Sequence, residues 1–514
     1  MMPGTDILAG HAAQQPDKVA AVDEDGHSLT YAELNRRANR AYWALHALGM
    51  RRGDRCVHMS HNSLEGFEIG HALRKTQAVS TPMNWRLRGK EIAYLLNDSG
   101  ASVVVAGHDF TAVIDEARPM VEDAAGRRWL CHGGAAPAGW QSYEALRDAA
   151  GEQEPPPNEQ VSGPTMVYTA GTTGNPKGAY RPDGVLLGTI LQFIQAFKLG
   201  SSDVHLLAGP GYHSAPAAFS GLQSIMGATC VVMHRFDPER AIQLIAEHGV
   251  TSTFMAPTLV KRIVDLPEQV RAKYDVSSMR ALIVAAAPFP ADIKQRAVEY
   301  FGDSVYEFYG ATETGIVTVI GPDELLEHPQ SCGRAFEGVE IRLLDDDGDD
   351  VPEGEPGELW SRSQQLLGEY YNKPEATQKN SRDGFFTVGD IAYRDAAGYY
   401  YICDRKIDMI ISGGVNIYPA EIEAVLLTHP AVEDCAVLGV PDEEWGEVVK
   451  AVVRVRDGHS VGADELIALC AANLAGYKRP RSVDFVEDFP RDAAGKLIKR
   501  QLRDRYWAAA GRRV

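Results

Sequence analysis

The sequence predicts an α/β protein: a large N-terminal domain of stacked α/β sheets, a β-barrel-like subdomain, and a small α+β unit at the C-terminus. Three observations carry this. Short apolar strand candidates alternate with helical stretches, which is the pattern of layered, largely parallel sheets. Around residues 336–362 two strand candidates flank an acidic turn cluster, the pattern of an antiparallel or barrel-like subdomain. After Asp404 a new, shorter set of strand and helix candidates begins.

The first helix is marked by Thr30 and Glu33, a capping box in which each side chain satisfies a free backbone N–H of the first turn. Leu34, Ala38, Ala41, Leu45 and Leu48 then recur at helical spacing, and Gly49 ends the run. Residues 103–105, 231–233, 253–255 and 282–284 are strand candidates, and 241–248 has helical periodicity. The Glu/Pro/Gly-rich stretch 151–163 forms a loop between subdomains. Strands are expected at 339–344 and 358–361, separated by the acidic turn cluster 345–357. In the last unit, strands are expected at 409–412, 435–440 and 450–455, and helices at 419–428 and 463–475. No internal repeat or low-complexity segment interrupts this order.

Composition narrows the partners. At 514 residues and 45% apolar side chains, a large core is available. A net charge of −19 argues against nucleic acid, whose phosphates need a basic footprint, and against a polybasic membrane anchor. Any anionic ligand must then meet locally concentrated positive charge. The 7 cysteines are scattered, with no Cys-x-x-Cys pair, so neither a disulfide framework nor a zinc site is expected and a reducing compartment fits. The N-terminus lacks the regions of a signal peptide and no apolar run is long enough for a transmembrane segment, so a cytoplasmic protein is expected. Peripheral membrane contact and a homo-oligomer both remain compatible with the sequence.

The stretch 168–178, Tyr-Thr-Ala-Gly-Thr-Thr-Gly-Asn-Pro-Lys-Gly, carries the most chemistry. Gly171, Gly174 and Gly178 let backbone N–H groups approach an anion, while Thr169, Thr172, Thr173 and Lys177 add side-chain donors. This is a cradle for a polyphosphate. It is not a Walker A loop, because Lys177 is followed by Gly178 and not by Ser or Thr. Four further segments agree with it: Tyr309-Gly310-Ala311-Thr312-Glu313 after the strand-like 305–308, Thr387-Val388-Gly389-Asp390, Asp404-Arg405-Lys406 leading into Ser412-Gly413-Gly414-Val415-Asn416, and 490–496 ending in Gly495-Lys496. An aromatic ring, a glycine turn and a carboxylate at the C-terminal end of a strand suit a nucleotide.

Taken in this order, the five segments resemble the adenylate-forming superfamily, and in particular its acyl-CoA synthetase (fatty-acid-CoA ligase) branch. The resemblance covers essentially the whole chain and extends to Asn84-Trp85-Arg86-Leu87-Arg88 and the 368–376 stretch. It implies an N-terminal AMP-binding domain over 1–403, holding the acyl and ATP sites, and a mobile C-terminal domain over 404–514. The hinge would lie within 404–408, at Asp404 and Ile407. By the resemblance, the 168–178 loop (Thr169, Gly171, Thr172, Thr173, Gly174, Lys177) holds the β- and γ-phosphates, Tyr309 and Gly310 face the adenine, and Asp390 with Arg405 binds the ribose. Thr312 would contact the α-phosphate, Glu313 would ligate Mg²⁺, and Lys496 would bridge carboxylate and α-phosphate. His213 matches a position beside the acyl pocket, in a segment that carries Phe219; Ala285, Ala286, Gln223, Phe254 and Tyr309 would form pocket walls, and Gly413 and Gly414 would line the coenzyme A tunnel. ATP, Mg²⁺ and coenzyme A are the implied cofactor and co-substrates.

The chemistry fits this assignment. A carboxylate is a poor electrophile, and transfer to AMP makes a mixed anhydride that a thiol can attack. The transfer to AMP builds negative charge around phosphorus and needs Lys, Mg²⁺ and hydroxyl donors placed beforehand. Two chemistries at one site call for two arrangements, which a hinged small domain supplies. The chain departs from the family pattern at Ala170, usually Ser; at Ile407, usually Asp or Lys; at Val415, often Glu; and at Ala285-Ala286, commonly Gly-Gly. The expected activity is ATP-dependent acyl-CoA ligation of an apolar acid, either a medium- or long-chain fatty acid or a steroid-type acid. The alternative is a stand-alone adenylation enzyme that loads a carrier protein.

Overall fold

The structure is a computed structural model that describes residues 6–156, 161–169, 176–406, 408–413, 415–442, 444–491 and 497–509. The chain divides into two compact units. The first comprises Met1–Pro329, Ala335–Glu340 and Arg362–Phe386; the second comprises Gln330–Arg334, Ile341–Ser361 and Thr387–Val514.

The first unit is built on two large sheets with helices packed against them. One runs through strands Gly315–Ile320, Val305–Ala311, Ala281–Val284, Ser252–Met255, Val204–Leu207, Thr229–Val232, Val19–Asp23 and Ser28–Thr30, in that spatial order. Its central strands are parallel. The other runs Glu369–Tyr370, Lys177–Arg181, Thr165–Thr169, Val79–Pro82, Arg55–Met59, Val103–Gly107, Arg128–His132 and Gln141–Ser142. The alternating apolar runs seen in the sequence become strands buried on both faces, such as Val103–Gly107 and Ala281–Val284. The first predicted helix spans Tyr31–Ala47, with the full capping box formed by Thr30 and Glu33.

The strands expected at 435–440 and 450–455 run longer, over Val432–Asp442 and Gly446–Val455, and one further boundary bears on the site. The strand that starts at Val305 does not stop at Phe308 but continues to Ala311 and pairs antiparallel with Gly315–Ile320. Gly310 makes this possible. A Cβ there would lie 2.0 Å from the Gly315 carbonyl oxygen, so only glycine allows the hairpin to close. The Thr312–Glu313 turn is thereby fixed between two strands.

In the second unit, Glu340–Leu344 pairs with Gly357–Arg362, which pairs antiparallel with Asp390–Arg394, and that in turn with Tyr400–Arg405. Its C-terminal part is a separate sheet, ordered Val415–Ile417, Ile410–Ser412, Gly446–Val455 and Val432–Asp442, with Ser482–Phe485 alongside Gly446–Val455. Helices Pro419–Leu426 and Ala463–Asn473 cover it over a core that includes Ile417, Ile422, Leu426, Val437, Val453 and Leu466. Among the described residues no helix is long and apolar enough to cross a membrane.

Candidate active site

In the first unit, the two ends of the phosphate loop are held by neighbouring antiparallel strands. Thr169 ends Thr165–Thr169 and faces Lys177, which opens Lys177–Arg181. Gly171, Thr172, Thr173 and Gly174 lie outside the described residues. Thr169 donates its hydroxyl to Glu313 Oε1 at 2.9 Å, and the Tyr370 hydroxyl donates to the same oxygen at 2.9 Å. Burial and the Glu313 carboxylate push the Tyr370 phenol well up, which keeps it a donor. Lys177 Nζ lies 4.9 Å from the centre of the Tyr370 ring. Thr169 and Tyr370, far apart in sequence, thus share one buried carboxylate oxygen, with Lys177 over the Tyr370 ring.

The neighbouring Thr312 is held from two sides. Its hydroxyl lies 3.0 Å from Ser214 Oγ, at the start of helix Ser214–Met226, whose N-cap is His213. Its carbonyl accepts a hydrogen bond from the Arg181 guanidinium at 2.5 Å, and the same guanidinium donates to the Gln365 carbonyl. Burial pulls Arg181 down to about 10, opposed by Glu313, so it remains charged at neutral pH. Farther out, the Tyr168 hydroxyl donates to Asp98 at 2.8 Å, and the Tyr94 hydroxyl donates to the Pro176 carbonyl at 3.0 Å. Both contacts brace the strand ends that flank the loop.

In the second unit, Asp390 and Arg405 sit opposite each other in register, with Arg405 Nε 3.5 Å from Asp390 Oδ1. Asp404 is buried: its Oδ1 accepts from Arg405 N–H at 2.7 Å and its Oδ2 from Ala420 N–H at 2.9 Å, in the first turn of helix Pro419–Leu426. Lys499 Nζ lies 3.9 Å from Asp404 Oδ2 and 2.8 Å from Glu423 Oε1, and these carboxylates push the lysine up. Gly413 has φ +57°, and a Cβ there would come within 2.6 Å of the Trp445 ring. Ile407, Gly414 and Lys496 lie outside the described residues.

A family model described as AMP-binding enzyme matches residues 8–371, and one described as AMP-binding enzyme C-terminal domain matches residues 421–496. The chain belongs to the AMP-binding enzyme family. Within this family it is 36% identical over 503 residues to a feruloyl-CoA synthase of Amycolatopsis sp, covering 96% of this chain and 97% of that one. It is 35% identical over 486 residues to the long-chain-fatty-acid–CoA ligase FadD13 of Mycobacterium tuberculosis, covering 93% of each. It is also 31% identical to the fatty acid–[acyl-carrier-protein] ligase ScoC of Streptomyces coeruleorubidus, with 98% and 96% covered. Among solved structures, ATP-bound MatB from Rhodopseudomonas palustris superposes with a TM-score of 0.87 at 29% identity, covering 98% of this chain and 99% of that one. The chain is thus an AMP-binding enzyme on the acyl-CoA synthetase branch of the adenylate-forming superfamily, and an AMP-forming acyl-CoA synthetase by class.

In this AMP-binding enzyme the residues expected at the acyl side occupy different depths. Ala285 and Ala286 follow strand Ala281–Val284 at the sheet edge, and Ala286 has φ +79°, a left-handed conformation that favours glycine. Tyr309 lies two strands' width from Met255, on the strand paired to Ala281–Val284. Gln223 lies deeper, fully buried, with its amide N–H₂ donating to Ser252 Oγ at 3.1 Å. Between these levels sits a layer of Phe219, Phe254 and Phe308, with ring centroids 5.7–6.2 Å apart.

Sequence reasoning did not single out Arg181, Tyr370, Lys499 or Phe308. Arg181 carried a signal: on a strand, Lys177, Ala179 and Arg181 share one face, so a charge four residues beyond the loop lysine returns to the site. Tyr370 lies within the 368–376 stretch that the resemblance covers. The phenylalanines come from three elements far apart in sequence; Phe254 is a pocket-wall candidate and Phe219 lies in the apolar segment after His213, but nothing local says that their rings meet Phe308.

Proposed function

We propose that this AMP-binding enzyme joins an apolar carboxylic acid to coenzyme A in two steps. The acid's carboxylate oxygen attacks the α-phosphorus of ATP and pyrophosphate leaves, giving acyl-AMP. The coenzyme A thiol, losing its proton, then attacks the acyl carbon and AMP leaves. The observation that carries this reading is the Thr169–Glu313 hydrogen bond, which joins strand ends of the two large sheets of the first unit and sets Lys177, opposite Thr169, and Thr312, beside Glu313, close to one another. Hydroxyls and a cation set beside a buried carboxylate suit a polyphosphate with its counter-ion.

Roles follow for the chain's own residues. The phosphate loop from Thr169 to Lys177 binds the β- and γ-phosphates, Thr312 the α-phosphate, Tyr309 and Gly310 the adenine, and Asp390 with Arg405 the ribose. His213 flanks the acyl carboxylate. Lys496 neutralises charge at the α-phosphate during the first step, and Gly413 with Gly414 leaves room for the pantetheine arm. Asp404 and Ile407 belong to the hinge by which the C-terminal domain, 404–514, serves both steps. The oxygen donors of Glu313 and Thr312 fit a hard cation such as Mg²⁺. When bound, Mg²⁺ supplies charge neutralisation to the phosphates.

The apolar character of the acid is supported by Ala285, Phe254, Phe308 and Phe219, which are buried and carry no polar side-chain atom. A medium- or long-chain fatty acid or a steroid-type acid is the expectation from sequence. A second reading, transfer to a carrier protein, is favoured by the match to ScoC. The test supplies the purified chain with ATP, Mg²⁺ and an acid panel, with either free coenzyme A or a holo carrier protein. Thioester on coenzyme A with AMP release supports the ligase; thioester on the carrier alone supports the second reading.

A further inference from the structure

We propose that the acid is a planar, ring-bearing monocarboxylic acid with a short linker between carboxyl and ring. This rests on the ligase reading above and narrows its substrate. Strand register places Ser252 and Phe254, Ile283, and Tyr306 on one face of the first sheet, with Ala285 and Phe308 following at the period of two. Helix Ser214–Met226 lies against this face, through Phe219 on Phe254 and Gln223 on Ser252. Ala285 carries only a methyl group on this face, and the Phe254 and Phe308 ring centroids lie 6.0 Å apart. Phe219 completes the layer: it stacks on Phe254 at 5.7 Å with ring planes 10° apart and lies 6.2 Å from Phe308. These are contact distances for aromatic rings, so the layer closes the acyl side.

The exposures agree with a lined floor: Phe308 is 8% exposed and Phe254 4%, while Phe197 behind them is at 0%. Phe197 backs the layer, with its ring 5.5 Å from Phe219 and 6.4 Å from Phe308. The depth above the floor follows from the helix. Thr312 contacts Ser214 at the helix start, and Phe219 comes five residues later, so the drop is about 8 Å at the helical rise. A carboxylate, a short linker and one ring fill that length; an extended laurate overruns it.

What lies below is unsuited to a methyl terminus. Ser252 Oγ is shared by the Gln223 amide at 3.1 Å and His205 Nδ1 at 3.0 Å. Gln223 Oε1 and His205 Nε2 are buried there without a hydrogen-bond partner among the described residues. An alkyl chain driven past the rings would meet this polar layer and could satisfy neither atom. A flat ring, in contrast, stacks on the phenylalanines without reaching it.

The test measures AMP formation by the full-length protein with ATP, Mg²⁺ and coenzyme A on phenylacetate, cinnamate, octanoate, laurate and palmitate. The expected result is a kcat/KM for cinnamate at least tenfold above that for laurate. Phe219→Ala should raise the laurate-to-cinnamate ratio at least tenfold, and the milder Phe219→Leu should move it the same way if the alanine variant fails to fold. A laurate or palmitate value equal to or above that of cinnamate overturns the inference and leaves the ligase reading standing. An unchanged ratio in a folded Phe219 variant also overturns it. No AMP from any acid overturns the ligase reading and this inference with it.

Discussion

Removing the Arg181 guanidinium should impair acyl-adenylate formation by about 10²-fold. Arg181 donates to the carbonyls of Thr312 and Gln365 and lies beside Glu313, so it ties the strand that begins with Lys177 to the turn carrying the α-phosphate and metal residues. Each hydrogen bond to a charged donor contributes about 1.5–3 kcal/mol. Arg181→Met would forfeit both and leave two carbonyls short of a partner, while recovering part of the cost of burying a charge. A net loss of about 3 kcal/mol results, which at 1.36 kcal/mol per tenfold is about 10²-fold in kcat/KM. Arg181→Lys keeps the charge but not the fork, and should fall between the variant and wild type. The assay is acid-dependent ATP–pyrophosphate exchange, run beside thioester formation from supplied acyl-adenylate and a thermal melt. The loss should fall mainly on exchange. If Arg181→Met exchanges pyrophosphate within about threefold of wild type, the tie has no catalytic consequence and the reasoning is wrong.

Four other outcomes are expected. Lys496→Ala should lower acyl-adenylate formation at least about 10²-fold, the scale for a lost transition-state donor, yet spare thioester formation from preformed acyl-adenylate; equal losses in both half-reactions would contradict separate roles for the two steps. Lys499→Met strands the buried carboxylates of Asp404 and Glu423, at a cost of about 3–5 kcal/mol, and should lower the melting temperature and adenylation together, with Lys499→Arg restoring both. Ala286→Gly relieves the left-handed φ, worth about 1–2 kcal/mol before glycine's extra unfolded-state entropy is subtracted, so the melting temperature should hold or rise and bulkier acids should gain; a drop of several degrees would contradict this. Acid should destabilise the first unit. Burial holds His58 down to about 3 and His205 down to about 4, so below pH 6.5 the unfolded chain takes protons that the folded chain refuses, and each group removes up to about 1.4 kcal/mol per pH unit. Glu307, pushed up to about 7 by burial, works in the opposite sense between about 7 and its ordinary 4.5. Two histidines outweigh one glutamate, and melting temperatures should fall from pH 6.5 to 5; a flat or rising profile would refute the balance.

Much of the architecture was legible because it is local. Alternating apolar runs became strands, and the Thr30–Glu33 pair became a helix start with both capping bonds formed. Pairing was not legible. Asp390 and Arg405 are named by motif, but only the antiparallel register of Asp390–Arg394 with Tyr400–Arg405 sets them opposite each other. The strand through Tyr309 to Ala311 runs longer than its composition suggests because its partner, Gly315–Ile320, holds it extended. The floor of the acyl side was legible only in pieces: Phe254 is a pocket-wall candidate in the sequence and Phe219 belongs to the apolar segment around His213. Phe308 looks like an ordinary core residue, and only packing of a helix on two strands brings the three rings together. The Glu313 cluster falls between these cases: Thr169 and Glu313 came from motifs, while Tyr370, which shares the same carboxylate oxygen, came from tertiary contact.

The most direct test of the central claim is the order and identity of products with a ring-bearing acid such as cinnamate. With ATP, Mg²⁺ and cinnamate but no thiol, the protein should exchange labelled pyrophosphate into ATP and hold cinnamoyl-AMP; adding coenzyme A should release AMP and cinnamoyl-CoA in equal amounts. Formation of ADP and phosphate, or pyrophosphate exchange that does not depend on any acid, would contradict the account.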